Sequence, residues 1–463
     1  MKNESLFLSG AKEILSPDSL LTEPEECAPF ASDWTRLPGN PSAVVLPKTT
    51  AQVASILKLC QNLKIPVVPS GGRTGLCGGA VASKGEVVVN LSRMTQLTPV
   101  NVASRTVRVQ AGAVTQSVHE HCAKAGLLWP IDLAAKGSSE IGGNLSTNAG
   151  GVRVIRYGMS RRWVVGLQAV TMNGEILELN EAVEKNNTGY DLVQLIIGSE
   201  GTLAVITEAT LKLVPIPKNV SVLFFSVDDL PSLLKLFEIA RKGPFEVLAF
   251  EFFSAKCLQA VEEKLHRRSR LSRGAEYYVL MEIEEQGRVD DWLSQLLEST
   301  IVQDGLLAHS SQEQRDVWAL REGITESIAL TGPVRKYDVS LPVTRMLSFL
   351  GEVLESIRNL RIELFLFGHF GDGSPHLNLV KPANASLEDY EKDCDRFEEK
   401  LFHLLKENGG SISAEHGVGI LRKNWLTFSR SKTELALYHA IKKAFDPDGL
   451  LNPGKVLGQR SPG

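Results

Sequence analysis

In the stretch FGHFGDGSPHLNLV, Phe367 to Val380, a histidine stands on each lip of a glycine-rich turn, His369 before it and His376 after it. Imidazoles ligate metals and carry protons near neutral pH, so their spacing matters. Glu363, Phe365, Phe367 and His369 alternate on one parity before the turn, and His376, Asn378 and Val380 do so after it. If both flanks are strands, each set shares a face of its strand. Gly371, Asp372 and Gly373 then supply the reversal that lets both imidazoles converge. Two ligands are one too few, and a histidine pair beside a hairpin also arises as satisfied or exposed side chains. The segment GGSISAEHGVG, Gly409 to Gly419, adds Glu415 and His416 side by side among glycines. His369, His376 and Glu415 would leave a divalent ion with open positions, as a working site needs; a structural site is closed by four protein ligands. His416 beside them is the candidate base, and its alternative role is to support Glu415.

Two glycine-rich loops suggest what else the chain holds. PSGGRTGLCGG, Pro69 to Gly79, follows a strand pattern and carries five glycines, whose backbone N–H groups can form a nest for phosphate oxygens. The spacing is not G-x-G-x-x-G and no helix pattern follows Val81, which disfavours a nicotinamide-binding doubly wound fold. GGNLSTNAGG, Gly142 to Gly151, adds Ser146, Thr147 and Asn148 as donors. Two such loops suggest a long, pyrophosphate-bearing cofactor. HEHC, His119 to Cys122, looks like a metal box but lies in an amphipathic helix pattern, where neighbours at i and i+2 diverge.

Around these loops the elements alternate. SAVVLPKTTAQVASILKLCQNLKIPVVPS predicts a strand at Val44 to Leu46, a helix capped by Thr50, and a strand at Val67 and Val68. Asn173-Gly174 marks a hairpin within Val164 to Val214, and Pro215 and Pro217 mark a boundary. Beyond it, helices near Leu230 to Lys242 and Trp292 to Thr300 interleave with strands, an α+β pattern on an antiparallel sheet. A helix at about Thr433 to Phe445 stops at DPDGLLNPGK. At 463 residues, two or three domains are expected. A net charge of -4 from 50 basic and 54 acidic residues, well mixed, favours neither nucleic acid nor an anionic membrane as partner. Six scattered cysteines without C-x-x-C spacing suit a reduced compartment. No apolar run nears the ~18 residues of a membrane span, and the start reads as no targeting sequence, so a soluble cytoplasmic protein is expected.

Taken together, Pro69 to Gly79, Gly142 to Gly151, IIGSEGTLAVITEATLKLVP (Ile196 to Pro215), FGHFGDGSPHLNL, SAEHGVG and DPDGLLNPGK resemble the FAD-dependent D-2-hydroxy acid dehydrogenases of the vanillyl-alcohol oxidase superfamily, over nearly the whole chain. REGITES (Arg321 to Ser327) and RKYDVSLPV (Arg335 to Val343) are most similar to members that oxidise D-2-hydroxyglutarate to 2-oxoglutarate. D-lactate, glycolate and D-malate are the alternative substrates, and a flavin-bearing subunit of a larger oxidase complex is the alternative role. The resemblance implies an α+β fold with a PCMH-type FAD-binding domain over 1–215, a substrate- and metal-binding domain with an antiparallel sheet over 216–425, and a helical segment over 426–463 that returns to the flavin.

It implies FAD contacts from Pro69, Ser70, Gly71, Gly72, Arg73, Thr74, Gly75, Gly78 and Gly79 in the first loop. In the second they come from Gly142, Gly143, Ser146, Thr147, Asn148, Gly150 and Gly151, and elsewhere from Glu200, Gly201, Ile206 and Asn452. Some relatives tether FAD through a histidine in the first loop; this chain has none there, so non-covalent FAD is expected. Substrate binding is implied for Arg321, Thr325, Lys336, Asn378 and His416. Lys336 and Thr325, beyond what a monocarboxylate uses, favour a dicarboxylate. The metal expected on His369, His376 and Glu415 is zinc, with manganese, cobalt or iron as alternatives. A non-haem iron oxygenase would use the same ligand types but has no need of flavin loops. Electron-transferring flavoprotein is the implied acceptor; the sequence leaves the oligomeric state open, a homodimer being one assembly it allows. The basic run HRRSRLSR, His266 to Arg273, is expected as a solvated loop on which a redox partner could dock.

Overall fold

The structure, a computed structural model, describes residues 2–272 and 274–458; Arg273, the last residue of the basic run, lies outside them. The fold is α+β, and the chain clusters into two compact units. One comprises the chain through Gly151, Met159–Ile216 and the chain from Glu415 onward; the other comprises Val152–Gly158 and Pro217–Ala414.

The first unit has two sheets. β1 (Leu20–Leu21), β2 (Ala43–Val45), β3 (Val67–Ser70) and β4 (Val87–Asn90) run in the order β1-β2-β4-β3, with β2, β4 and β3 parallel. β5 (Thr106–Gln110), β7 (Val164–Val170), β8 (Ile176–Leu179) and β9 (Val205–Lys212) form an antiparallel sheet ordered β5-β9-β7-β8, and β6 (Leu127–Leu128) pairs with β10 (Val214–Pro215). β7 and β8 form the hairpin expected at Asn173-Gly174, with Gly174 at φ 80. The helix Thr50–Leu63 buries Val53, Ile56, Leu57 and Cys60, one stripe at the helical period, into the same core as β2, β5, β7 and β9. Its cap is Thr49, not Thr50: Thr49 has the extended backbone, and its hydroxyl accepts from the Gln52 amide at 3.2 Å. Thr50 instead donates to Gln168 Oε1 across the core at 2.6 Å.

The second unit is built on a seven-stranded sheet. Its strands are β11 (Val220–Val227), β12 (Phe245–Ser254), β13 (Tyr277–Glu285), β14 (Asp304–Ala308), β15 (Val334–Asp338), β16 (Glu363–His369) and β17 (Ser374–Val380). They are ordered β14-β11-β13-β12-β16-β17-β15, every neighbouring pair antiparallel. Helices Leu230–Ala240 and Val289–Leu297 occur here, the second three residues earlier than its apolar pattern predicts. After the helix Ala255–Leu265, His266 turns left-handed at φ 55 and the described part of the basic run is loop.

The hairpin that carries the histidines follows the sequence. β16 and β17 pair from Glu363↔Val380 to His369↔Ser374, and the turn is a short 3-10 helix, Phe370–Asp372, closed by Gly373 at φ 79. A Cβ on Gly373 would stand 2.0 Å from the Leu341 carbonyl oxygen, so the turn requires glycine for its dihedral and for space. All six cysteines are buried thiols outside any disulfide.

Candidate active site

In the first unit both glycine loops are pressed onto the segment 132–140 that leads into the second. A Cβ on Gly72 would lie 2.1 Å from the Ser138 carbonyl oxygen, one on Gly71 3.0 Å from Glu140 Oε2, and one on Gly151 2.0 Å from the Asp132 carbonyl oxygen. Arg73 adopts φ 53 in the first loop, and its guanidinium lies 4.7 Å over the Phe30 ring. Gly143, by contrast, has nothing within 4 Å of where its Cβ would be. The second loop is the short helix Ile141–Thr147, ended by Asn148 at φ 52. Ser146 and Thr147 do not offer their protons outward. Each hydroxyl donates to the carbonyl four residues back, at 2.7 and 3.2 Å, and keeps lone pairs as its outward function.

A third segment closes on the first loop. Glu200, at φ 53, accepts from the amides of Val418 and Gly419 at 2.7 and 2.8 Å; Ile420 donates to the Cys77 carbonyl at 2.8 Å. Asn452 donates to the carbonyls of Gly79 and Glu200 at 3.0 and 2.8 Å. Ile206 lies inside β9 in the core. Burial pushes the Glu200 carboxyl up, and the two amides draw it back. Burial likewise pushes Glu140 up to about 7 against the pull of Arg73. Glu140 Oε2 and Asn452 Oδ1 are buried without a hydrogen-bond partner among the described residues. Nested backbone loops, an open glycine edge and orphaned polar atoms fit an elongated, polar cofactor of the FAD type. Cys77 is a packing residue, its thiol donating to the Gly417 carbonyl at 3.1 Å.

In the second unit, cross-strand register puts the reactive side chains on one face of the sheet. Glu251 of β12 stands opposite His369 of β16; Phe253, Phe367, His376 and Asp338 form the next row; Phe365, Asn378 and Lys336 form the one after. The two Nε2 atoms of His369 and His376 are 3.3 Å apart. Two nitrogens on one tetrahedral zinc, each at 2.0–2.1 Å, are also about 3.3 Å apart, so the pair fits such an ion. His369 Nδ1 lies 2.6 Å from Glu251 Oε1, and His376 Nδ1 lies 3.4 Å from Asp338 Oδ1. Arg321, at the end of the helix Ser311–Glu322, donates from Nε to Glu251 Oε2 at 2.9 Å, pairs with the same oxygen through Nη2 at 2.7 Å and lies 4.8 Å over the Phe367 ring. Burial would push the Glu251 carboxyl up, but His369 and Arg321 beside it hold it below the usual carboxylate range. Lys336 is half-buried, and desolvation lowers its pKa. Thr325 is exposed, on a helix (Ile324–Ala329) separated from that of Arg321 by Gly323.

Glu415 and His416 belong to the first unit, where Glu415 Oε2 accepts from the Gly151 amide at 2.9 Å. Along the chain they directly follow Ala414, whose amide donates to the Asp338 carbonyl at 3.3 Å in the second unit. In HEHC, His121 bonds to the Thr98 carbonyl at 2.9 Å, His119 packs on Trp129, and Cys122 is buried, so the apparent box is a helix with divergent side chains. Glu251 and Asp338 were not picked out by the motifs. A lone acid inside the apolar strand run VLAFEFF, Val247 to Phe253, is the signal that would have marked Glu251.

Comparison with known proteins agrees with this architecture. A model of the FAD binding domain matches residues 41–180, and one of the C-terminal domain of FAD linked oxidases matches residues 216–456. A D-2-hydroxyglutarate dehydrogenase of Xanthomonas citri pv. viticola is 40% identical over 95% of this chain and 94% of its own; one of Stutzerimonas stutzeri is 39% identical over 96% and 97%. A solved structure of p-cresol methylhydroxylase with substrate bound shares the fold, with a TM-score of 0.77 at 16% identity, covering 100% of this chain and 98% of that one. The chain therefore belongs to the FAD linked oxidases, among the FAD-dependent D-2-hydroxy acid dehydrogenases of the vanillyl-alcohol oxidase superfamily that act on CH–OH donors.

Proposed function

We propose that the protein oxidises D-2-hydroxyglutarate to 2-oxoglutarate with non-covalent FAD and a divalent ion, zinc first, held by His369, His376 and Glu415. The observation that carries the choice of substrate is the row of Lys336 and Asn378 lying two residues along β15 and β17 from the row of His376. Two residues of strand span about 6.8 Å, the reach of a five-carbon diacid and more than a three-carbon acid needs. Relatives 40% and 39% identical over nearly their full length carry the same activity in their names. The absence of a histidine between Pro69 and Gly79 supports non-covalent FAD.

When bound, FAD supplies the acceptor for the C2 hydride and the ion a Lewis acid for the hydroxyl. The remaining work belongs to the chain. His416 takes the hydroxyl proton, Lys336 and Asn378 bind the distal carboxylate, and Arg321 and Thr325 complete the substrate contacts. The family resemblance supports electron-transferring flavoprotein as acceptor.

Anaerobic mixing with D-2-hydroxyglutarate is expected to bleach the flavin faster than D-lactate, glycolate or D-malate does. His416→Ala should slow bleaching with every substrate, since each must lose the same proton. Equal rates with D-lactate would overturn the dicarboxylate assignment, and stoichiometric peroxide at the full turnover rate would make the enzyme an oxidase.

A further inference from the structure

Glu251 is fully buried in the middle of β12, with its side chain 0% exposed. An unpaired carboxylate there would cost several kcal/mol, and even a paired one is often no more stable than an apolar residue of the same volume. Its partners show what it does instead. Oε1 accepts from His369 Nδ1 at 2.6 Å, and Oε2 takes Nε and Nη2 of Arg321 at 2.9 and 2.7 Å. One carboxylate thus grips a proposed metal ligand and a proposed substrate cation, residues 118 and 70 positions away in sequence.

Each grip has a chemical consequence. A carboxylate at Nδ1 requires the proton there, which leaves the Nε2 lone pair pointing away from Glu251 and toward His376 Nε2, 3.3 Å off. A guanidinium that spends Nε and Nη2 on Glu251 no longer has that edge for a substrate. Nη1 of Arg321 has no partner among the described residues, and the Phe367 ring packs against the guanidinium plane. Arg321 therefore keeps only its end-on edge, Nη1 and the second N–H of Nη2, for a substrate carboxylate and presents it in a fixed direction.

We propose that Glu251 is a positioning residue for both halves of the substrate site: it sets the His369 tautomer for the ion and fixes Arg321 for the carboxylate. The first half rests on the metal reading above; the second does not.

The test uses the full-length, FAD-loaded enzyme and Glu251→Gln, with zinc affinity measured by competition against a chromogenic chelator. Glutamine keeps the size but cannot accept from both partners as an anion. Zinc affinity is expected to fall about 10- to 100-fold, the usual effect of removing a carboxylate behind a ligating histidine. KM for D-2-hydroxyglutarate should rise as Arg321 loses its hold. Wild-type zinc affinity together with wild-type KM in Glu251→Gln would overturn the proposal. His376→Ala separates the two failures: if it binds zinc as wild type does, the metal reading falls and takes the first half with it, while the KM result still decides the second.

Should Glu251→Gln not fold, the wild-type protein decides. Nitrogen-15 spectra of the zinc-free enzyme are expected to show His369 with its proton on Nδ1. A proton on Nε2 would overturn the first half. For the second, Arg321→Lys cannot keep the two-nitrogen grip and should raise KM at least 10-fold despite its charge; an unchanged KM would overturn it.

Discussion

Lys336 and Glu140 are half-buried and buried charges with opposite uses. If Lys336 binds the distal carboxylate, Lys336→Met removes a charge-assisted contact and costs on the order of 2–4 kcal/mol, or roughly 30- to 1000-fold in kcat/KM for D-2-hydroxyglutarate. D-lactate never reaches that contact and should change little, so the preference ratio collapses; equal losses for both acids would assign Lys336 to the carboxylate they share. Desolvation lowers the Lys336 pKa, so KM for the diacid should climb with rising pH earlier than an ordinary lysine, near 10.4, would dictate. Glu140 works against the fold. Its carboxyl is pushed up to about 7 by burial, from about 4.3 in an unfolded chain. A raised carboxyl costs nothing below its unfolded pKa, and the cost grows from about pH 4 to about pH 7, where it reaches on the order of 3 kcal/mol. Thermal melts of the flavin-free Glu140→Gln variant should therefore gain on wild type between pH 5 and pH 8. A gap that stays constant over that range would mean that the carboxyl titrates like an exposed one.

At the scale of one element, the β16–β17 hairpin depends on Gly373. Alanine at φ 79 costs about 1–2 kcal/mol for the dihedral alone, and its Cβ would collide with the Leu341 carbonyl at 2.0 Å. Gly409 has a similar φ of 67 but open space around it. Gly373→Ala should therefore lose more stability in denaturant titration than Gly409→Ala, and should weaken zinc binding as the histidine lips shift. Equal losses would show that the turn yields at no cost to the strands. The helix Thr50–Leu63 illustrates how narrowly caps are decided: Thr49 and Thr50 are chemically identical, and only the extended backbone of Thr49 made it the cap.

At the scale of the whole molecule, the glycine loops and the histidine pair lie in different compact units. Chelator dialysis should abolish turnover and leave the flavin absorbance intact; full activity in protein shown by elemental analysis to be metal-free would remove the ion from the mechanism. Acid precipitation should release the flavin into the supernatant, and yellow colour retained in the pellet would mean a covalent bond.

The sequence by itself determined what depends on local period and residue type. Strand parity put His369 with Phe367 and Phe365, and His376 with Asn378, on single faces, because side chains alternate strictly along a strand. Glycine spacing marked two loops as candidates for a cofactor and argued against a dinucleotide fold of the nicotinamide type. The combination of motifs over nearly the whole chain identified the family. Tertiary structure alone decided the rest, because no local period encodes which strands become neighbours. The order β12-β16-β17-β15 brought Glu251 opposite His369 and Lys336 opposite Asn378. It also committed Arg321 to an acid 70 residues away. The same holds for the donors assigned to Ser146 and Thr147: their types were legible in the sequence, but helix geometry turned their protons back onto the carbonyls of Gly142 and Gly143.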